Sequence, residues 1–208
     1  MVNYKILKDQ IVYFPGVIEN YKEIINAIES LDSKAVSGWE NWYAGAEEKH
    51  IYGQIKFMKR HLYLEESDLD TLNKCKFVIE SLCDYMVDCA EVYSEIFSLP
   101  KDHIEYAVSV LKYDGTVIGI NKYNENSHMG PHVDLNDRNS YIQYTIVVYL
   151  NDDYEGGELN FPNHDIRIKP VAGSIAMYPS GHPYVHESTN VTKGRKMLIT
   201  HHLRNKDM

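Results

Sequence analysis

Three side chains in this sequence could share one metal ion. His132 and Asp134 stand two residues apart in Gly130-Pro131-His132-Val133-Asp134, and His186 comes much later in the chain. Two imidazoles and one carboxylate gathered on one face of an ion leave the opposite face open. That arrangement suits a non-haem Fe(II) that has to bind a co-substrate and O₂ together. Alternation explains the H-x-D spacing, because residues i and i+2 of an extended segment point to the same side. His132 and Asp134 then face one ion while Val133 points away. The pair alone is weak evidence, since ten histidines supply a third partner by chance.

The elements that must hold these residues are legible in outline. Lys5–Phe14 contains Ile11-Val12-Tyr13-Phe14 and reads as a short strand ending at Pro15-Gly16. Ile18, Tyr21, Ile25 and Ile28 recur at helical spacing, with Ile24 and Leu31 beside them, which predicts a helix from Asn20 to Leu31. Asn20 and Glu23 have capping-box spacing at its start. Ser33 to Leu64 has mixed polarity and reads as loops, with Trp39, Trp42 and Tyr43 placed to cover a cleft or to pack on the core. A long helix is predicted from Asp68 to Phe97. Its stripe of Leu72, Cys75, Ile79, Leu82, Met86, Cys89, Tyr93 and Ile96 should lie on a sheet and brace it.

After Pro100 the pattern becomes β-rich. Tyr106–Tyr113 and Thr116–Tyr123 flank an Asp114-Gly115 turn, and Tyr141–Leu150 is strongly β-prone. Glu158–Phe161, Ile166–Lys169, Ser174–Tyr178, Tyr184–Glu187 and Arg195–Leu203 continue the series. The expected class is mainly β with helices (α+β), a sandwich or jelly roll braced by N-terminal helices. A single domain is expected over residues 1–208, with 1–100 supplying a strand and supporting helices and 101–208 the β core.

Composition narrows the function classes. A net charge of −9 argues against a surface that grips nucleic-acid backbones. Lys56, Lys59, Arg60 and His61 form a basic cluster that reads as a solvated face. No apolar run approaches the ~20 residues needed to cross a bilayer. Met1-Val2-Asn3-Tyr4-Lys5 lacks the layout of a secretory signal, so a cytoplasmic protein is expected. Cys75, Cys83 and Cys89 share one predicted helix with no histidine partner, and read as reduced, buried small hydrophobes.

The flanks of the triad raise its specificity. In order come Tyr123-Asn124-Glu125-Asn126, His132-x-Asp134, Tyr149-Leu150-Asn151-Asp152, and Gly156-Gly157-Glu158-Leu159-Asn160-Phe161-Pro162. Then come Pro170 with Gly173, Tyr178-Pro179-Ser180, His186-Glu187 and Val191-Thr192-Lys193-Gly194-Arg195-Lys196. Over Leu111–Leu203 this succession resembles the Fe(II)- and 2-oxoglutarate-dependent dioxygenases, in their prolyl 4-hydroxylase-like branch. The resemblance implies a double-stranded β-helix with His132, Asp134 and His186 as iron ligands. His186 is preferred to His182, which sits in a turn, and to His201 and His202. His128 and His164 read as loop histidines.

The resemblance also implies a cation for the far carboxylate of 2-oxoglutarate, about ten residues beyond the distal histidine. Arg195 and Lys196 both qualify and point to opposite faces of a strand. Alternation with the apolar Leu198 favours Lys196. Tyr149 and Tyr123 match tyrosines that line the co-substrate pocket, cross-strand packing being their other reading. Two positions depart from the family pattern, Asn126 where Gly is common and Met129 where an aromatic is common. Met197 departs likewise, coming after the cation where an aromatic is usual.

The activity implied by the resemblance is that of an oxidoreductase using Fe(II), 2-oxoglutarate and O₂, with ascorbate as reductant, that hydroxylates a prolyl residue of a peptide or protein. Asp137 and Arg138, with the Trp39, Trp42 and Tyr43 segment, would form the peptide groove. Lysyl residues or a free small molecule are the alternative substrates. A non-catalytic jelly-roll binding module is the alternative of another class, and a nucleic-acid demethylase is disfavoured by the acidic balance.

Overall fold

Successive side chains of the run Ile142–Tyr149 face two different surroundings, and nearly all of them are buried. A strand buried on both faces needs a layer on each side. The computed structural model, which describes residues 2–30, 40–43, 51–58, 69–100, 117–135 and 142–204, supplies both.

The strands are β1 (Lys5–Lys8), β2 (Ile11–Phe14), β3 (Glu40–Tyr43), β4 (Ile51–Met58), β5 (Val117–Tyr123), β6 (Met129–His132) and β7 (Ile142–Tyr149). They continue with β8 (Glu155–Gly156), β9 (Leu159–Phe161), β10 (Ile166–Ile168), β11 (Ser174–Pro179), β12 (His186–Ser188), β13 (Val191–Lys193) and β14 (Lys196–Arg204). An eight-stranded sheet runs in the order β1-β2-β11-β7-β14-β5-β4-β3, and a four-stranded sheet in the order β10-β9-β12-β6. The pairs are antiparallel throughout. A two-stranded ribbon, β13-β8, closes one end.

Each face of the large sheet has its own core. Val12 and Phe14 of β2, Ile146 and Val148 of β7, Ile175 and Met177 of β11, and Met197 and Ile199 of β14 face the helices. There they meet Ile24 and Ile28 of α1 (Tyr21–Ser30) and Ile79, Leu82, Met86 and Tyr93 of α2 (Leu69–Phe97). The alternate residues Ile11, Tyr13, Val147, Tyr149, Ala176, Tyr178 and Leu198 face inward, where Leu159, Phe161 and Ile168 of the small sheet close over them. The helices brace the outer face of the large sheet, and its inner face looks onto the small sheet.

The elements differ from expectation in several places, the unexpected strands β6, β8 and β13 among them. Lys5–Phe14 is two strands, because Asp9 takes a left-handed conformation (φ 49°) and turns the chain between them. The stretch read as loops contains β3 and β4, a hairpin that extends the large sheet through β5. Asn20 does not form the capping box: its carbonyl accepts from Ile24 N–H, but its buried side-chain oxygen has no partner among the described residues. His164 is in a 3₁₀ turn (Pro162–His164), buried and stacked on Tyr184 at 4.8 Å, not an open-loop histidine. Cys83 and Cys89 are buried, and burial, with Asp88 adding to it, pushes the Cys89 thiol up to about 12. The expected strand Tyr106–Tyr113, the residues Trp39, Lys59, Arg60, His61, Asp137 and Arg138, and the side chains of Trp42, Tyr43, Lys56 and Cys75 lie outside the described residues. No helix among the described residues is long and apolar enough to cross a membrane.

Candidate active site

His132 ends β6 and His186 begins β12, and these two residues face each other across the pair of strands. Asp134 lies just beyond the strand end. One ligand atom from each of the three lies within 4.8 Å of the others. His132 Nε2 is 3.5 Å from Asp134 Oδ1, and His186 Nε2 is 3.5 Å from Asp134 Oδ2. Both imidazoles are held from behind by backbone carbonyls, which can only accept. His132 Nδ1 therefore donates to Gly130 O (2.8 Å) and His186 Nδ1 to Tyr184 O (3.1 Å). In a neutral imidazole that assignment leaves Nε2 unprotonated, as metal ligation requires; while His132 is protonated its Nε2–H can donate to Asp134.

The electrostatics favour an anionic Asp134 and a neutral His186. Burial alone would raise the Asp134 carboxyl, but the His132 hydrogen bond, the neighbouring His186 and His202 and the Thr145 hydroxyl hold it well below the usual range. It stays anionic at any ordinary pH. Burial pushes the His186 imidazole down to about 4, against the pull of Asp134, so it is a neutral donor. For His132 burial acts downward too, but the bonds to Asp134 and Gly130 outweigh it and the imidazole is raised.

Below the triad a cavity of about 400 Å³ runs between the sheets. Tyr123, Tyr149, Tyr178, Ser188, Lys196 and Leu198 are among the residues that line it. Lys196 is 1% exposed, and its Nζ donates to Gly157 O (2.6 Å) and to Ser188 Oγ (2.8 Å). It also sits 5.3 Å from the Tyr123 ring centre and 5.4 Å from that of Tyr149. An ammonium has three N–H donors, and these two bonds both go to neutral oxygens. Burial, opposed only in part by Glu158, pushes Lys196 down to about 7. Arg195 takes the opposite face and pairs with Glu29 at the surface.

Other histidines fall outside the triad. His182 is exposed in the turn before β12. His202 lines the cavity, 3.4 Å from the Thr145 hydroxyl, and His201 is its outward neighbour on β14. Asn126 stands where Gly is common, and it adopts φ +67°, a conformation that Asn tolerates better than most residues. The substitution keeps the turn. Met129, the other departure, packs its sulfur 3.8 Å from the Tyr123 hydroxyl. Thr145 and Ser188 were not singled out from the sequence, and Tyr178 and Ser180 only as part of a flanking motif with no role at the site. Alternation could have found two of them, since Ser188 is two residues from His186 and Thr145 four from Tyr149.

Residues 118–204 match the 2OG-Fe(II) oxygenase superfamily. Solved structures share the fold over nearly the whole chain. The viral collagen prolyl hydroxylase of Paramecium Bursaria Chlorella virus-1 superposes with a TM-score of 0.60 at 17% identity, covering 95% of this chain and 96% of that one. A prolyl hydroxylase from Trichoplax adhaerens, solved with a hypoxia inducible factor peptide fragment, gives 0.63 at 14%, covering 96% and 85%. In sequence, human prolyl 3-hydroxylase 2 is 34% identical over 65 residues and human prolyl 3-hydroxylase 3 is 35% identical over 65. Each match takes in 29% of this chain and 9% of the relative. The present chain therefore corresponds to a small part of those enzymes.

The fold shared with these structures is a jelly roll, which explains the observed layering, in which the large and small sheets enclose the site. Its donor set fits Fe(II): two imidazole nitrogens and one carboxylate converge, each braced by a second group. The buried, cationic end at Lys196 fits the far carboxylate of 2-oxoglutarate.

Proposed function

We propose that this oxygenase domain, formed by residues 1–208 as one unit, hydroxylates a prolyl residue of a peptide or protein. The observation that carries the reading is one cavity with the His132, Asp134 and His186 triad at one end and the buried Lys196 ammonium at the other. The triad would hold the metal and Lys196 would receive the far end of a dicarboxylate in the same cavity. Fe(II) with 2-oxoglutarate and O₂ supplies the oxidant for an unactivated C–H bond, leaving succinate and CO₂.

The chain's own residues do the positioning. His132, Asp134 and His186 would hold the metal. Lys196 receives the far carboxylate by a charge-assisted hydrogen bond, worth about twice a neutral one. The rings of Tyr123 and Tyr149 wall that end and keep water from it. No side-chain base is required, since hydrogen leaves carbon as an atom. The prolyl substrate is favoured by the prolyl hydroxylases among the sequence relatives and structural neighbours. A cytoplasmic setting is part of the same proposal, and ascorbate would keep the iron ferrous.

The test incubates the protein with Fe(II), ascorbate, 2-oxoglutarate and O₂ against a library of proline-rich peptides. Lysine-containing peptides and free amino acids form the comparison arms. The expected result is a peptide that gains one oxygen on proline with one succinate formed, abolished by His186→Ala. Resonance assignment of the product then gives the ring carbon. Oxygen gained only on lysine or on a free amino acid would replace the prolyl reading. Binding of peptide with no succinate in any arm would leave a non-catalytic module.

A further inference from the structure

Asp134 has a mechanical problem that the two histidines do not. His132 and His186 belong to paired strands, whose ladder fixes their backbones. Strand β6 stops at His132, so the aspartate ligand sits past the last rung. Something else must hold it, and the structure assigns that work to Ser180 and Thr145.

We propose that these residues form a clamp that positions Asp134 for metal binding. Ser180 lies at the end of β11, anchored by its N–H to Gln143 O at 2.8 Å. Its carbonyl accepts the N–H of Leu135, the residue after the ligand, at 3.0 Å. Its hydroxyl is 2.8 Å from Thr145 Oγ1, which in turn donates to Asp134 Oδ2 at 2.6 Å. Ser180 therefore grips the ligand segment twice, once through the backbone and once through a hydroxyl relay. Both hydroxyl residues are fully buried.

Counting protons fixes the direction of that relay. An ionised carboxylate only accepts, so the one hydrogen of Thr145 goes to Asp134. Ser180 must then donate to Thr145. His202 Nδ1, 3.4 Å from the same oxygen, can only approach as a second donor. Thr145 thus accepts from behind and donates forward, which polarises its bond to the carboxylate. Gly181 follows, and a Cβ there would come within 2.9 Å of Leu135 Cδ2, so the end of that exposed side chain would have to shift. Thr145 and Ser180 are positioning residues and touch no reacting atom.

The inference rests on the metal-site reading above and is tested by metal uptake, without turnover. The probe is Co(II), whose visible absorption reports coordination, titrated into the metal-free full chain. Thr145→Val should raise the Co(II) dissociation constant about 10–100-fold, the usual cost of losing a group that orients a ligand. Thr145→Ser, which restores the hydroxyl, should recover most of that loss and return the wild-type spectrum. Ser180→Ala, which leaves the backbone grip intact, should give a smaller loss. Circular dichroism of each variant excludes misfolding as the cause. A Thr145→Val protein that is folded and binds Co(II) within twofold of wild type overturns the clamp and leaves the site reading intact. A serine variant as weak as valine overturns it too. If wild type takes up no Co(II), both the clamp and the site reading fall.

Discussion

Lys196 sets the strongest residue-scale expectation, because it carries charge where water cannot help it. The N–H bonds it makes to Gly157 and Ser188 leave it pushed down to about 7 by burial. A dicarboxylate needs the ammonium. Well below that value the free protein already holds the proton, and binding takes up none. Above it, binding must recruit one, so the apparent dissociation constant should rise up to about tenfold per pH unit. Calorimetry in two buffers of different ionisation enthalpy should show proton uptake near zero a unit below that value and near one a unit above. Pure pH-independent binding would mean that Lys196 is not the anchor. The same depression makes the ligand-free protein gain stability as pH rises from about 7 towards 10.5, since the unfolded chain binds more protons in that window. Lys196→Ala should weaken 2-oxoglutarate binding strongly. Arg195→Ala should not, because Arg195 meets Glu29 in a solvent-exposed pair worth about 0–1 kcal/mol.

Between strands β8 and β9 the chain makes a bend that only glycine allows. Gly156 has φ +73°, and a Cβ there would stand 2.1 Å from Asn190 O. Gly157 comes next at φ +65°, and its carbonyl is the acceptor that holds Lys196. Gly156→Ala should cost at least about 1–3 kcal/mol, the cost of a strained backbone before the clash is counted. Urea unfolding would measure it, and a loss below that range would mean the bend relaxes freely. The elements most legible in the sequence are those with a long pattern. The helix stripe from Ile79 to Tyr93 is buried as expected, because a 3.6-residue period repeated over many turns leaves no alternative face. Strand β6 was not legible as an element: four residues containing Gly130 and Pro131 lack β propensity, and the pairing with β12 forms only in three dimensions. The hairpin of β3 and β4 was hidden for a related reason, since mixed polarity shows no period.

At the scale of the molecule, the site is a seam between two sheets, so what fills it should stabilise the whole. The triad was legible because its flanks are specific, although the H-x-D pair alone is weak evidence. The support for Asp134 was not, because Thr145 and Ser180 are 35 residues apart and each reads as an ordinary strand or turn residue. The same long-range geometry ties β5, β6, β7, β11, β12 and β14 to one cavity. A ligand that binds only the folded chain adds RT ln(1 + [L]/Kd), about 2.7 kcal/mol at a hundredfold excess over Kd. For a chain of this size that corresponds to a rise of roughly 5–10 °C in Tm. Two separable increments are expected in a melting experiment under argon: one on adding Fe(II), a second on adding 2-oxoglutarate. His186→Ala should lose both, because the co-substrate seat includes the metal. Lys196→Ala should keep the first and lose most of the second. An increment from 2-oxoglutarate that survives Lys196→Ala, or that appears in full without metal, would place the dicarboxylate outside the cavity and break the link between its two ends.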